Sequence, residues 1–166
     1  MFVLDSHCDT PSQILRLRDL AIDNDHAHVD FPKLKRGKVD GAFFALYVPS
    51  KYEDDPDAGF AYARKLLDGV RASVRDNSDQ ASICTTYRQA LANKDNGLFS
   101  VFLGLENGSP IGYDMERLSW FHDAGVRYIT LCHSGNNHIC DSCAPSVGRW
   151  NGLSPFGKEL VKEMNR

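Results

Sequence analysis

The chain has 166 residues, 42% of them hydrophobic and 25% charged, with a net charge of −3 at neutral pH. That length suits one well-buried domain over residues 1–166, and the composition excludes a disordered chain. The slight acidic balance gives no broad surface for nucleic acid or an anionic membrane, and no apolar stretch is long enough for a membrane-spanning segment.

The N-terminus shows no basic region followed by an apolar one. The expectation is therefore a soluble protein without a signal peptide, either cytoplasmic or exported after processing.

The opening MFVLDSHCDTPSQ places an apolar run ahead of Asp5, His7 and Asp9. Phe2–Asp5 reads as a buried strand that breaks at Thr10-Pro11. Side chains alternate along an extended chain, so His7 and Asp9 share one face and Cys8 takes the other. An imidazole beside a carboxylate is a good start on a metal site, and equally an ordinary hydrogen-bonded pair. Cys8 is a poor partner for His7 in nucleophilic catalysis, because the two face opposite sides.

Further along, His26 and His28 form H-x-H in a polar loop and read as surface histidines. Lys33, Lys35, Arg36 and Lys38 are the one basic cluster, read as a solvated turn. Ala42–Val48 is a second strand. Phe60, Ala63, Leu67, Val70 and Val74 recur at three- and four-residue steps and predict a helix with one apolar face.

Leu98–Leu105 predicts a third strand, apolar throughout, followed by Glu106 in LGLENGSP. A carboxylate in such a place is costly unless paired, capping a helix or coordinated. Met115, Leu118 and Phe121 mark another helix, which Gly125 ends. Arg127–Cys132 predicts a fourth strand, followed by His133.

Last, Ser154 can cap a helix beginning at Pro155, with Phe156, Leu160 and Met164 on one face. Apolar strands separated by helices predict a parallel α/β sheet, either a (β/α) barrel or an open doubly wound sheet. In both, sites form at the C-terminal ends of strands, where His7, Asp9, Glu106 and His133 all lie.

Five cysteines do not make a complete disulfide framework. Cys8, Cys84 and Cys132 read as small buried hydrophobes, and Cys140-x-x-Cys143 as a pair able to form a local disulfide in an oxidising compartment. With His133 and His138 that pair offers four zinc-ligand types, in an order that fits no zinc-finger pattern; the loop reads as site wall. Were it a metal scaffold instead, Cys140→Ser and Cys143→Ser would abolish metal binding and His7→Ala would spare it. The chain contains no G-x-S-x-G, no Walker loop and no G-x-G-x-x-G.

The segments DSHCDTP, HVDFPKLKRGKVDGAFFALYVP, GLENGSPIG, AGVRYITLCHSGNN and NGLSPFGKELVKEMNR resemble, in order, the membrane (renal) dipeptidase family. The resemblance implies the N-terminal part of a (β/α)8 TIM-type barrel and a zinc-dependent dipeptidase, in which a metal-bridging hydroxide attacks the peptide bond. It implies His7 and Asp9 as ligands of one zinc, Glu106 as the carboxylate bridging two zincs and a catalytic group, and His133 as a substrate-binding residue. It also implies a dipeptide as substrate, and dimers and export as common in the family.

Cys8 stands where the family usually has Asn. The family's remaining zinc histidines, its carboxylate-binding arginine and its catalytic aspartate fall past Arg166. This chain is therefore expected to form at most one well-made metal site. The alternative is a non-catalytic metal- or peptide-binding module.

Overall fold

The computed structural model describes residues 1–16 and 18–166. Among these residues five strands form one sheet: β1 (Leu4–Cys8), β2 (Gly41–Tyr47), β3 (Ala81–Ile83), β4 (Phe99–Glu106) and β5 (Val126–Thr130). The order is β1-β2-β4-β3, with β5 also paired to β4. The pairs β1–β2 and β3–β4 are parallel, with Leu4 opposite Gly41 and Ala81 opposite Phe99.

Among the described residues six α-helices accompany the strands: α1 (Thr10–Ile14), α2 (Phe31–Arg36), α3 (Pro56–Asp76), α4 (Tyr87–Asp95), α5 (Met115–Asp123) and α6 (Pro155–Met164). The expected α/β class with parallel strands is what the chain forms. It divides into two compact units, residues 1–46 with 65–104, and residues 47–64 with 105–166.

Burial separates the central strands from the outer ones. Every residue of β4 is buried, and β2 is nearly so, as expected of strands covered on both faces. The prediction of buried first and last strands is corrected. Leu4 is 45% exposed and Cys8 is the one buried residue of β1. Only Val126 is buried in β5. Strand β1 ends the order, where neighbours cover less of it. In the first unit Phe44 is fully enclosed and its ring lies 6.3 Å from that of Phe99. Phe44→Ala is expected to cost about 3–5 kcal/mol, through lost transfer energy and the cavity left behind. The urea unfolding midpoint measures it.

Helix α3 buries Ala63, Leu67, Val70 and Val74 of the predicted face and Leu66 beside them, while Phe60 is half-buried. The basic cluster is not a simple solvated turn: Lys33, Lys35 and Arg36 make the last turn of α2. Asp30, fully buried, caps that helix by accepting the Lys33 N–H at 2.8 Å, and its carboxylate also meets the Lys33 ammonium. Burial pulls the Asp30 pKa up, and the Lys33 bonds outweigh it, leaving the pKa below the usual value. Arg36 pairs with Asp23 at 2.6 Å. Position-by-position hydropathy misses this arrangement, because the cations are paired by residues outside their own run.

Ser154 caps α6 as its sequence predicts, accepting the Gly157 N–H at 2.8 Å while its hydroxyl donates to the His138 carbonyl at 2.6 Å. The predicted apolar face is corrected at one end: Leu160 is buried with Gly157, whereas Met164 is 40% exposed. A β-carbon at Gly157 would run into the Ile139 carbonyl, so the loop backbone lies against the helix start. Ser154→Ala removes both bonds and is expected to cost about 1–2 kcal/mol. Thermal or urea unfolding of the variant checks this.

Candidate metal and substrate site

Strand β1 runs farther than its hydropathy suggests and carries His7 within it. Asp9 follows at the N-cap position of α1, without a side-chain cap bond of its own. The His7 Nε2 atom lies 3.4 Å from Asp9 Oδ1, and both side chains reach solvent. Cys8 turns the other way into the core, with Sγ 3.0 Å from Thr10 Oγ1. Burial raises the pKa of this thiol. The alternation read from the sequence therefore holds at these three residues.

In the second unit Glu106 is the last residue of β4, with its side chain 12% exposed. Its Oε1 lies 3.3 Å from His133 Nε2, and His133 Nδ1 shares a 3.1 Å hydrogen bond with Ser134 Oγ. Ser134 Oγ in turn meets Ser50 Oγ at 3.1 Å, and the Tyr47 ring stands edge-on to the imidazole at 5.0 Å. His133 is thus oriented through both ring nitrogens and one ring edge. It follows β5 by three residues, since that strand stops at Thr130 and not at the expected Cys132.

Asn107 and Gly108 make the turn that leaves Glu106 at the strand end. Asn107 has φ 74°, a left-handed conformation that asparagine tolerates better than most residues. Its amide donates to the Val48 carbonyl at 3.0 Å, and its side-chain oxygen accepts from Ser109 N at 3.2 Å. At Gly108 a β-carbon would stand 2.7 Å from Ile139 Cδ1 and 3.0 Å from the Leu131 carbonyl. Sequence reasoning passed over Asn107, Asn137 and Tyr47. The Asn-Gly pair after an apolar strand was the available signal.

The loop after His133 is an independently braced structure. Asn137 donates to the Leu131 carbonyl at 2.8 Å and accepts from the backbone N–H groups of Ile139 and Cys140 at 2.8 and 3.1 Å. Asp141 accepts backbone N–H bonds from Arg149, Trp150 and Gly152 at 2.7, 2.9 and 3.2 Å. Burial pushes the Asp141 carboxyl pKa up, and these N–H groups together hold it below its usual value.

The cysteines and the remaining histidines take the places the structure gives them. Cys140 is buried and Cys143 exposed, both as free thiols, and Cys132 is half-buried. His26 and His28 are exposed. His138 is buried between the rings of Tyr113 and Phe156, at 5.1 and 5.7 Å, away from a ligand role. In the first unit His7 and Asp9 offer an imidazole nitrogen and a carboxylate oxygen side by side, and in the second Glu106 offers a carboxylate at the strand end. Imidazole nitrogen with carboxylate oxygens is a donor mixture that fits zinc and related divalent ions.

A parallel α/β sheet with imidazole and carboxylate groups at its strand ends is a framework suited to a metal-dependent protein. The chain belongs to the membrane dipeptidase family, peptidase family M19, whose model matches residues 1–166. Membership implies a metal cofactor.

Among curated relatives, it is 31% identical over 147 residues to dipeptidase aclJ of Aspergillus oryzae, covering 85% of this chain and 35% of that protein. It is 30% identical over 185 residues to dipeptidase tcpJ of Claviceps purpurea, covering 98% of this chain and 41% of that one. The chain thus spans less than half the length of these relatives.

Solved structures agree on the fold. A metallopeptidase described as dipeptidase AC superposes with a TM-score of 0.84 at 24% identity, over 100% of this chain and 54% of that one. A metallopeptidase from Rhodobacter sphaeroides, liganded with a phosphinate mimic of the dipeptide L-Ala-D-Ala, gives 0.83 at 23% identity, over 100% and 56%. Among the described residues, no helix is long and apolar enough to cross a membrane.

Proposed function

We propose that this chain supplies the first part of one (β/α)8 barrel domain in a zinc-dependent dipeptidase. In this reading His7, Asp9 and Glu106 hold metal, Glu106 also serving the catalytic step, and His133 meets the substrate. The observation that carries it is Glu106 itself: a carboxylate enclosed at the end of the most buried strand, facing an oriented imidazole at 3.3 Å. Taking a carboxylate out of water is costly, and cationic or coordinating partners offset that cost.

A bound divalent ion would supply Lewis acidity at this site. The chain's own groups do the rest. The exposed His7–Asp9 pair presents one nitrogen and one oxygen donor from a short, stiff segment. Glu106 brings a second carboxylate whose orientation the Asn107–Gly108 turn fixes. His133, held at Nδ1 by Ser134, points Nε2 at Glu106, and there it would donate to a carbonyl oxygen that gains negative charge during peptide hydrolysis once substrate replaces the 3.3 Å contact. The Rhodobacter sphaeroides relative, liganded with its phosphinate mimic of L-Ala-D-Ala, supports a dipeptide as the substrate class here.

Zinc content by mass spectrometry, combined with hydrolysis of a small dipeptide panel, tests the reading. Zinc bound with turnover that falls on His133→Ala supports it. A protein that binds zinc tightly after the His7→Ala and Glu106→Gln changes overturns the ligand assignment. Zinc binding without turnover of any dipeptide favours the non-catalytic binding module.

A further inference from the structure

The metal reading does not use the thiols of Cys132 and Cys140. They come from the two ends of the 132–140 segment, and a single side chain holds those ends together. Asn137 donates to the carbonyl of Leu131 at 2.8 Å and accepts from the N–H of Cys140 at 3.1 Å. The Cys140 carbonyl accepts the Asn137 N–H at 3.1 Å, and Cys140 is further pinned by a bridge to Leu153. Cys132 Sγ sits 3.4 Å from the carbonyl oxygen of Asp141, the residue next to Cys140. The C-x-x-C motif suggested a different pairing, yet Cys143 is exposed while Cys140 is buried.

We infer that Cys132 and Cys140 are a redox-sensitive dithiol that closes to a disulfide on exposure to a peroxide, stapling the segment that carries His133. The inference does not depend on the metal assignment. The half-buried Cys132 is the sulfur open to the oxidant. Cys140 is buried, so the oxidant meets Cys132 first and Cys140 resolves it; burial, with the Cys132 sulfur beside it, raises the Cys140 pKa.

The chemistry balances in two steps. The Cys132 sulfur attacks one peroxide oxygen, the O–O bond breaks, and one water leaves, giving a sulfenic acid. The Cys140 sulfur then attacks the Cys132 sulfur, the S–O bond breaks, and the hydroxyl departs with the Cys140 proton as a second water. Hydrogen peroxide is reduced by two electrons and the two thiols together are oxidised by two.

The test is titration of the purified chain with hydrogen peroxide, followed by alkylation and peptide mass spectrometry without reduction. The expected result is a mass lower by two hydrogens, a cross-linked pair of peptides holding Cys132 and Cys140, and Cys143 still open to alkylation. Cys132→Ser and Cys140→Ser should each remove the cross-link, and the Cys143→Ser variant should retain it. Hydrogen exchange of the oxidised protein should slow across residues 133–139. A Cys140–Cys143 cross-link overturns the pairing. Oxidation confined to Cys143, with Cys132 and Cys140 both recovered as free thiols, overturns the dithiol itself. Because the Cys143→Ser comparison leaves both proposed cysteines in place, a folding failure in either of the other variants does not decide the matter.

Discussion

Glu106→Gln is expected to weaken zinc binding on the order of a hundredfold or more. Loss of a residue that merely orients a ligand costs about 10–100-fold in affinity, and removing the ligand charge itself costs at least that. The substitution keeps the size of a side chain that is 12% exposed, so packing along β4 changes little. What changes is one carboxylate oxygen, replaced by an amide that donates where a cation needs an acceptor. A competition titration against a chromogenic zinc chelator reads the loss. His7→Ala should fall in the same direction, and the Cys140→Ser and Cys143→Ser variants should bind zinc as the parent does. Equal affinity for Glu106→Gln and parent would rule the carboxylate out as a ligand. Loss in the cysteine variants alone would move the metal to the loop after His133.

The second large effect is a pH dependence of stability centred on His138. The imidazole is 8% exposed, its Nε2 has no hydrogen-bond partner, and burial pushes its pKa down to about 4 from an ordinary 6.5. The folded state therefore holds His138 neutral at pH values where the unfolded chain is already protonated. Stability rises with pH wherever the unfolded state binds more protons. The contribution of His138 is full above about pH 6.5 and is lost as the pH falls from there toward 4. Between pH 7 and pH 4.5 the loss amounts to about 2 kcal/mol.

Urea unfolding at those two values, compared with His138→Phe, measures it. The variant should show a flatter dependence across that window. Asp30, Asp40 and Asp141, whose carboxyl pKa values lie below the usual 3.8, supply stability above that value. They lose it at lower pH still, so their effect separates from that of the histidine.

Much of this was legible in the residues. Alternation placed His7 and Cys8 on opposite faces, and Cys8 is buried while His7 reaches solvent. Three- and four-residue spacing defined the inner face of α3, and Ser154-Pro155 marked the start of α6. These features are local: a few neighbouring residues and the backbone period suffice to specify them. The short strand β3 escaped notice because three residues carry too little pattern, and its place in the sheet comes from pairing with β4.

The sequence by itself determined the α/β class, the strand-end positions of Glu106 and His133, and the Ser154 cap of the last helix, because hydropathy period and cap chemistry act within a few residues. Tertiary structure alone decided which groups meet. It paired the Lys33 ammonium with the buried Asp30, set His133 against Glu106 and Tyr47, turned His138 into the core, and buried Cys140 while leaving Cys143 exposed. The reason is physical. A side chain's partners depend on how distant segments of the chain are brought together by packing, and a residue's type fixes only what it can bond to once it arrives there.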